Sequence, residues 1–196
     1  MTTTTTVANQ KGGVGKTTTA ANIAVLLAHQ RQHTLVIDTD PQCALTRQLG
    51  LGDRALGVNL VDVLAGRAVA LDAIVTDVHG VDVIPGAREL AGVEMSLVGE
   101  LGRERFLHDA LERLGVSSPA LFAVMTRWVP QRLSSQTVET ALTALDFPPA
   151  GRIRLRAAAV AHAAHTRVPL AASAPDGTVA LAYRSLLDRL EAVGAR

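Results

Sequence analysis

Asn9-Gln10-Lys11-Gly12-Gly13-Val14-Gly15-Lys16-Thr17-Thr18-Thr19 lies near the amino end of the chain. Gly12, four residues that include Gly13 and Gly15, and then Lys16-Thr17 satisfy a phosphate-binding pattern. A nucleotide's phosphates are polyanionic, and backbone N–H groups at a helix N-terminus can surround them. Glycines permit the positive φ angles and close approach that such a nest needs. In this pattern Lys16 reaches the β- and γ-phosphates, and the Thr17 hydroxyl holds Mg²⁺.

The pattern carries that meaning only when it follows a strand and opens a helix. Residues 3–8, Thr-Thr-Thr-Thr-Val-Ala, are mostly β-branched and suit a strand. Ala20, Ile23, Ala24 and Leu27 then recur at i, i+3, i+4 and i+7, the period of a helix. The plainer alternative is a glycine-rich strand–helix turn without a ligand.

Lys11 stands just ahead of Gly12-Gly13, giving Lys-Gly-Gly-Val-Gly-Lys-Thr. This box resembles the deviant Walker A sequence of the ParA/MinD family of ATPases. The resemblance implies that Lys11 reaches across a dimer interface to the partner's nucleotide while Lys16 serves its own. Catalytic roles then fall to Lys11, Lys16 and Asp40. Nucleotide binding falls to Lys11, Gly12, Gly13, Val14, Gly15, Lys16, Thr17 and Thr18. Without the resemblance, Lys11 reads as a solvated loop lysine.

The chain has 196 residues, enough to bury a full core in one α/β domain. Hydrophobic content of 48% with 19% charged residues is ordinary globular composition. A net charge of +1 gives no global basic bias, so nucleic-acid binding has to come from a local patch. Cys43 is the one cysteine, which excludes an intramolecular disulfide and points to a reducing compartment. One thiolate per chain also cannot supply the four of a cluster shared between two subunits. The polar amino end lacks an apolar signal region, and no run of 18 apolar residues exists. The expected location is the cytoplasm, without a membrane partner, and the family resemblance implies association with the nucleoid.

Thr34-Leu35-Val36-Ile37 reads as a buried strand that ends in Asp38-Thr39-Asp40-Pro41-Gln42. Acids at the carboxyl end of a parallel strand lie on the ligand-binding edge of such sheets. The Asp-x-Asp-Pro-Gln pattern resembles the family's switch I, which implies that Asp40 positions the attacking water. On the same resemblance Asp38 lies close to Mg²⁺, so the metal set is Thr17 and Asp38. Either acid could instead cap the helix that begins near Ala44.

Further along, Leu45 to Leu49 and Val61-Asp62-Val63-Leu64 read as short helical fragments, and Val81-Asp82-Val83-Ile84 as another strand. The segment from Pro85 through Leu90 also looks like the ParA family. Helix periodicity returns at Leu107, Ala110, Leu111 and Leu114, with charged residues on the solvated face. Here the chain departs from the family's pattern. Relatives run next into an apolar strand ending in an acid and two prolines, the Walker B equivalent. Residues 115–119 lead instead straight into the strand at Ala120 to Thr126, which resembles a later strand of the family. Roughly 50–60 residues of βαβ are absent by typical supersecondary sizes. Their loss takes away the neighbour of the phosphate-loop strand and predicts a reduced sheet.

A helix capped by Ser134 or Ser135, with Val138, Ala141, Leu142 and Leu145 on one face, precedes Pro148-Pro149. Arg152-Ile153-Arg154-Leu155-Arg156 alternates with period two, a half-buried strand with three arginines on one face. An alanine-rich helix and a last helix burying Val179, Tyr183, Leu186, Leu187 and Leu190 complete the chain. ParA relatives bind DNA without sequence preference through arginines in these regions, which implicates Arg132, Arg152, Arg154 and Arg156. A solvated strand face is the alternative. His162 and His165 share a helix face but have no evident third metal ligand.

The resulting expectation is an α/β fold with a mostly parallel sheet and helices on both faces, like a P-loop NTPase with a deviant Walker A box. Residues 1–196 form one P-loop ATPase domain. The resemblance implies a partition ATPase with ATP/ADP and Mg²⁺ as cofactors. It would form a homodimer on ATP·Mg, bind DNA non-specifically and hydrolyse ATP with a ParB-like centromere-binding partner. The alternatives are a catalytically impaired nucleotide switch of the same fold, a MinD-like positioning ATPase, and a non-functional remnant. The carboxyl-terminal helix carries acids rather than the lysine-rich face of a membrane anchor.

Overall fold

The computed structural model describes residues 5–9, 12–52, 57–96, 124–128, 140, 151–154 and 157–194. Lys11, Arg132, Arg156 and the periodic segment from Leu107 to Leu114 lie outside the described residues, as does most of the helix expected after Ser134. Thr140, within that expected helix, is helical and exposed. The chain divides into two compact units interleaved in sequence. One is drawn from Leu27–Pro119, the other from Thr5–Leu26 and Ala120–Arg196.

The first unit is built on a three-stranded sheet of β1 (Leu35–Ile37), β2 (Val75–Val78) and β3 (Val81–Ile84), in the order β1-β3-β2. β1 runs parallel to β3, with Leu35 opposite Asp82, Val36 opposite Val83 and Ile37 opposite Ile84. β3 is the central strand, and Val81, Val83 and Ile84 are buried, as β-branched residues on a pleated interior surface should be. β2 folds back antiparallel, making the sheet mixed. Its register breaks between Val75 and Val78, where Asp77 takes a φ of 56°. The Asp77 N–H is caught by the Asp82 carboxylate at 3.2 Å.

One face of this sheet is covered by α3 (Leu60–Leu64), a 3₁₀ turn at Ala70–Ala73 and α4 (Leu90–Ser96). Leu60, Val61, Val63, Ala70, Ala73, Ile84 and Leu90 form the buried cluster, with Leu35 and Ile37 against it. Each large side chain so buried contributes about 1.5–3 kcal/mol. α3 is short but firmly started. The Val61 N–H donates to Asn59 Oδ1 at 2.9 Å, and the Asn59 N–H donates to Asp62 Oδ2 at 3.2 Å, a reciprocal cap. The Arg67 guanidinium holds Asp62 at 2.8 Å and, with the Asn59 N–H, draws its carboxyl below the ordinary aspartate range.

In the second unit, β4 (Val124–Trp128) and β5 (Gly151–Arg154) pair in parallel. α5 (Ala157–Thr166), α6 (Leu170–Ser173) and α7 (Thr178–Gly194) follow. α7 packs on β5 and on α6, burying Val179, Tyr183, Leu186 and Leu187. α1 (Lys16–His29) belongs to this unit through Leu26. Its buried residues include Thr18, Thr19, Ala21, Asn22, Ile23, Ala24, Val25 and Leu26, so it is covered all round rather than on one stripe.

The strands read at 34–37 and 81–84 and the helical fragments read at 45–49 and 61–64 are present, as are the alanine-rich and last helices. The strand read at 152–156 is present over its described residues 152–154. The fold is α/β with a reduced sheet. Residues 5–9 differ from the sequence reading, since they lie outside both sheets. β-branched residues favour a strand only where a neighbour completes the ladder. On the family resemblance, the segment expected to supply that neighbour is the one that residues 115–119 pass over.

Candidate functional site

Gly13 (φ 67°) and Gly15 (φ 94°) take the left-handed conformation, where a side chain would be strained, and both precede α1 directly. α1 begins at Lys16, and its first internal bond runs from the Thr19 N–H to the Gly15 carbonyl at 2.9 Å. An α-helix makes no bonds of its own to the amide hydrogens of its first turn, which is why such a turn is a place where anions bind. No acid occupies that turn, although the helix dipole favours one there. A Cβ placed on Gly12 would meet nothing within 4 Å, so the loop's outer side is open. The arrangement suits a polyanion, and the Thr17 hydroxyl is the kind of hard oxygen ligand that Mg²⁺ prefers.

The turn is anchored from below by contacts that sequence reading did not pair, since it placed Tyr183 on the buried face of the last helix and gave Asn22 no role. Thr19 Oγ1 and Tyr183 Oη lie 3.1 Å apart, both buried. Burial pushes the Tyr183 phenol above its ordinary pKa, against the opposing effect of Thr19. Asn22, with no exposed surface, donates from Nδ2 to the Thr18 carbonyl at 2.7 Å. Its Oδ1 accepts the Ala171 N–H, also at 2.7 Å. The available signal was an amide in the apolar run Ala21-Asn22-Ile23-Ala24-Val25, which obliges a buried partner.

The acid loop follows β1 in the first unit. Asp38 is 3% exposed, and its N–H donates to the Ile84 carbonyl, extending the ladder by one residue. Its Oδ2 accepts the Thr46 N–H at 2.9 Å and the Thr46 hydroxyl at 2.7 Å, while Oδ1 accepts the Asp40 N–H at 3.2 Å. Thr46 lies in the first turn of α2 (Ala44–Gln48), so Asp38 acts as a remote cap on that helix. The Thr46 hydroxyl in turn accepts the Gly86 N–H at 3.0 Å. Asp40 is half-buried, and its Oδ1 accepts the Gln42 N–H at 2.8 Å, which shapes the turn into α2.

Cys43 sits at the head of α2 in the left-handed region (φ 50°). Burial foremost, then Asp38 and more weakly Asp40, push its thiol pKa upward against Arg47 and Arg88. The backbones of Arg152 and Arg154 lie in β5. His162 and His165 are both exposed on α5. The structure thus assembles residues 12–18 into one loop and helix turn, and separately ties Asp38, Asp40 and Gly86 around Thr46.

A glycine loop opening a helix at Lys-Thr, and an acid loop at the carboxyl end of a parallel strand, define a phosphate-loop protein of the ParA/MinD type. A family model described as an AAA domain matches residues 2–117, and the chain belongs to that family. The match ends beside the junction at 115–119 where the sequence departs from the ParA pattern. The chain is 43% identical over 141 residues to the chromosome partitioning protein ParA of Caulobacter vibrioides, covering 71% of this chain and 52% of that protein. It is 42% identical over 107 residues to the sporulation initiation inhibitor protein Soj of Bacillus subtilis, covering 54% of this chain and 42% of that protein. The chain therefore spans about half the length of these curated relatives.

Among solved structures, cobyrinic acid a,c-diamide synthase of Mycobacterium smegmatis, with bound ATP analog and magnesium, matches with a TM-score of 0.67 and 25% identity. That match covers 96% of this chain and 93% of that one. The Pyrococcus furiosus cell division ATPase MinD shares the fold, with a TM-score of 0.69 and 24% identity over 95% of this chain and 97% of that one.

Proposed function

We propose that this protein is an ATP-dependent partition ATPase, built as one P-loop ATPase domain, that dimerises on ATP·Mg and binds DNA without sequence preference. It hydrolyses ATP in response to a ParB-like partner and segregates a plasmid or chromosome at the nucleoid. The observation that carries the reading is the loop at Gly12, Gly13, Val14 and Gly15. Two of its glycines take positive φ angles, and it opens directly onto Lys16 and α1. The chromosome partitioning protein ParA of Caulobacter supports the biological role by likeness.

ATP with Mg²⁺ supplies the transferable phosphoryl group and a compensating divalent charge. The backbone of residues 12–18 and the Lys16 ammonium bind the phosphates, and the Thr17 hydroxyl holds the metal. Asp38 would serve the metal as the family resemblance implies, and it keeps the acid loop in register through Thr46. Asp40 orients water, and Lys11 adds a second cation from the partner protomer. Phosphoryl transfer depends mainly on positioning and charge stabilisation, so these groups suffice.

The test is calorimetric titration with Mg·ATP, followed by turnover assays with and without DNA. Lys16→Ala is expected to weaken binding by about 10–100-fold, the loss of a charge-assisted contact to phosphate. Asp40→Asn keeps the acceptor for the Gln42 N–H and is expected to bind ATP while losing turnover. No heat of association from the unaltered chain at saturating magnesium overturns the reading.

A second reading, a nucleotide switch without turnover, is favoured by one observation. Both Asp38 oxygens are engaged by Thr46 and the Asp40 N–H, while the Walker B segment is missing from the sequence. Saturable ATP binding with no hydrolysis under any DNA condition would select it.

A further inference from the structure

We propose that Tyr183 and Asn22 are positioning residues for the phosphate loop, acting through Thr19 and Thr18 on the first turn of α1. The inference rests on the nucleotide-binding reading above. Neither side chain can touch a nucleotide, because Tyr183 is 2% and Asn22 0% exposed. Each instead bonds a residue of the turn whose amide hydrogens would face the phosphates.

The chemistry of both contacts is costly unless it has a purpose. A phenol buried in α7 loses its hydration and needs a partner, where phenylalanine would fill the same space without one. That partner is the Thr19 hydroxyl, three residues beyond Lys16. Asn22 is a poorer helix former than the alanines around it, and its amide must be satisfied at both ends. The Ala171 N–H opens α6 and can only donate, so it fixes which end of the Asn22 amide is oxygen. Nδ2 is then obliged to face the Thr18 carbonyl. α7 holds α1 at Thr19 and α6 holds it at Asn22, whose amide bonds back along the helix to Thr18, so the start of α1 is tied at two levels. A phosphate nest needs that, since hydrogen bonds weaken steeply once donors swing away from the acceptor.

The experiment uses the full chain and a non-hydrolysable ATP analogue with Mg²⁺, titrated calorimetrically below the melting temperature of every variant. Tyr183→Phe and Thr19→Val are each expected to weaken binding about fivefold, the equivalent of one lost hydrogen bond. The double variant should bind no worse than either single one, because both remove the same contact. Thr19→Ser keeps the hydroxyl and should bind as the unaltered chain does. Asn22→Ala should weaken binding further and lower the melting temperature, leaving the Ala171 N–H without its acceptor. Should Asn22→Ala not fold, the Tyr183–Thr19 cycle decides alone. If Tyr183→Phe and Thr19→Val lower the melting temperature but leave affinity unchanged, the contacts are structural ties and the proposal is overturned. Additive losses in the double variant overturn it as well. If the unaltered chain shows no binding, the nucleotide reading itself fails, an outcome visible before any variant is compared.

Discussion

Cys43 shows how the acid loop treats a single side chain. Its thiol is buried, donates weakly to the Pro41 carbonyl at 3.5 Å, and has Asp38 and Asp40 for neighbours. Burial and the two acids both oppose a thiolate, and Arg47 and Arg88 do not offset them. The folded-state pKa therefore lies above the unfolded one. Folding is unaffected by this group below the ordinary thiol value, and stability falls as pH rises from that value towards the raised one. Because the thiolate is the nucleophile, iodoacetamide should alkylate Cys43 more slowly in the native protein than in urea at pH 8. Equal rates in the two states would mean that the loop does not shield it.

At the scale of elements, the acid loop is tied to α2 and to the turn after β3 by Thr46. A Cβ on Gly86 would come within 2.8 Å of the Asp38 carbonyl oxygen and 3.2 Å of its Cγ. Gly86→Ala should therefore cost about 1–3 kcal/mol by overpacking, and lower the melting temperature by roughly 2–4 °C for each kcal/mol. Gly92 is the matched control. It lies in α4, where a Cβ meets nothing within 4 Å. Gly92→Ala should stabilise by about 0.5–1 kcal/mol through helix propensity alone. Thermal denaturation of both variants checks the pair, and a shift of the same sign in each would contradict the close approach.

The strand β5 carries the second prediction at this scale. If Arg152, Arg154 and Arg156 contact DNA phosphates, each substitution by glutamine reduces affinity for any sequence alike. It also lowers the slope of log K against log[salt] by about one per lost contact. Filter retention across a salt series reads both, and an unchanged slope would assign the arginines to a solvated strand face.

What was legible in the sequence follows the range of the interactions involved. The phosphate loop is contiguous, and its glycines, lysine and threonine carry their geometry with them. The strand β3 was visible because Val81, Val83 and Ile84 form an apolar run closed by Pro85-Gly86. The strand β2 was not. Thr76 and Asp77 are exposed, and the hairpin turns through His79 at φ 55° and Gly80 rather than through an Asn-Gly pair. Asp38 was assigned to metal or to helix capping, and its bond to Thr46 eight residues on realises the capping geometry. The anchors Tyr183 and Ala171 lie more than 140 residues from their partners on α1, and no local pattern encodes such a pairing.

For the whole molecule, the decisive prediction concerns assembly. The resemblance to the ParA/MinD box implies that Lys11 reaches the nucleotide of a face-to-face partner while Lys16 serves its own subunit's β- and γ-phosphates. Two nucleotides would then each be held by residues of both chains, so association requires nucleotide and nucleotide affinity rises with association. Light scattering with Mg²⁺ and a non-hydrolysable ATP analogue should show a dimer that reverts to monomer on nucleotide removal. Lys16→Ala should weaken binding by about 10–100-fold and lose the dimer at nucleotide concentrations that saturate the unaltered chain. Lys11→Ala should leave monomeric nucleotide binding nearly intact while losing the dimer, and that separation assigns the two lysines to different subunits. If Lys11→Ala dimerises as the unaltered chain does, the first lysine is a loop residue and the interface must be sought elsewhere on the surface.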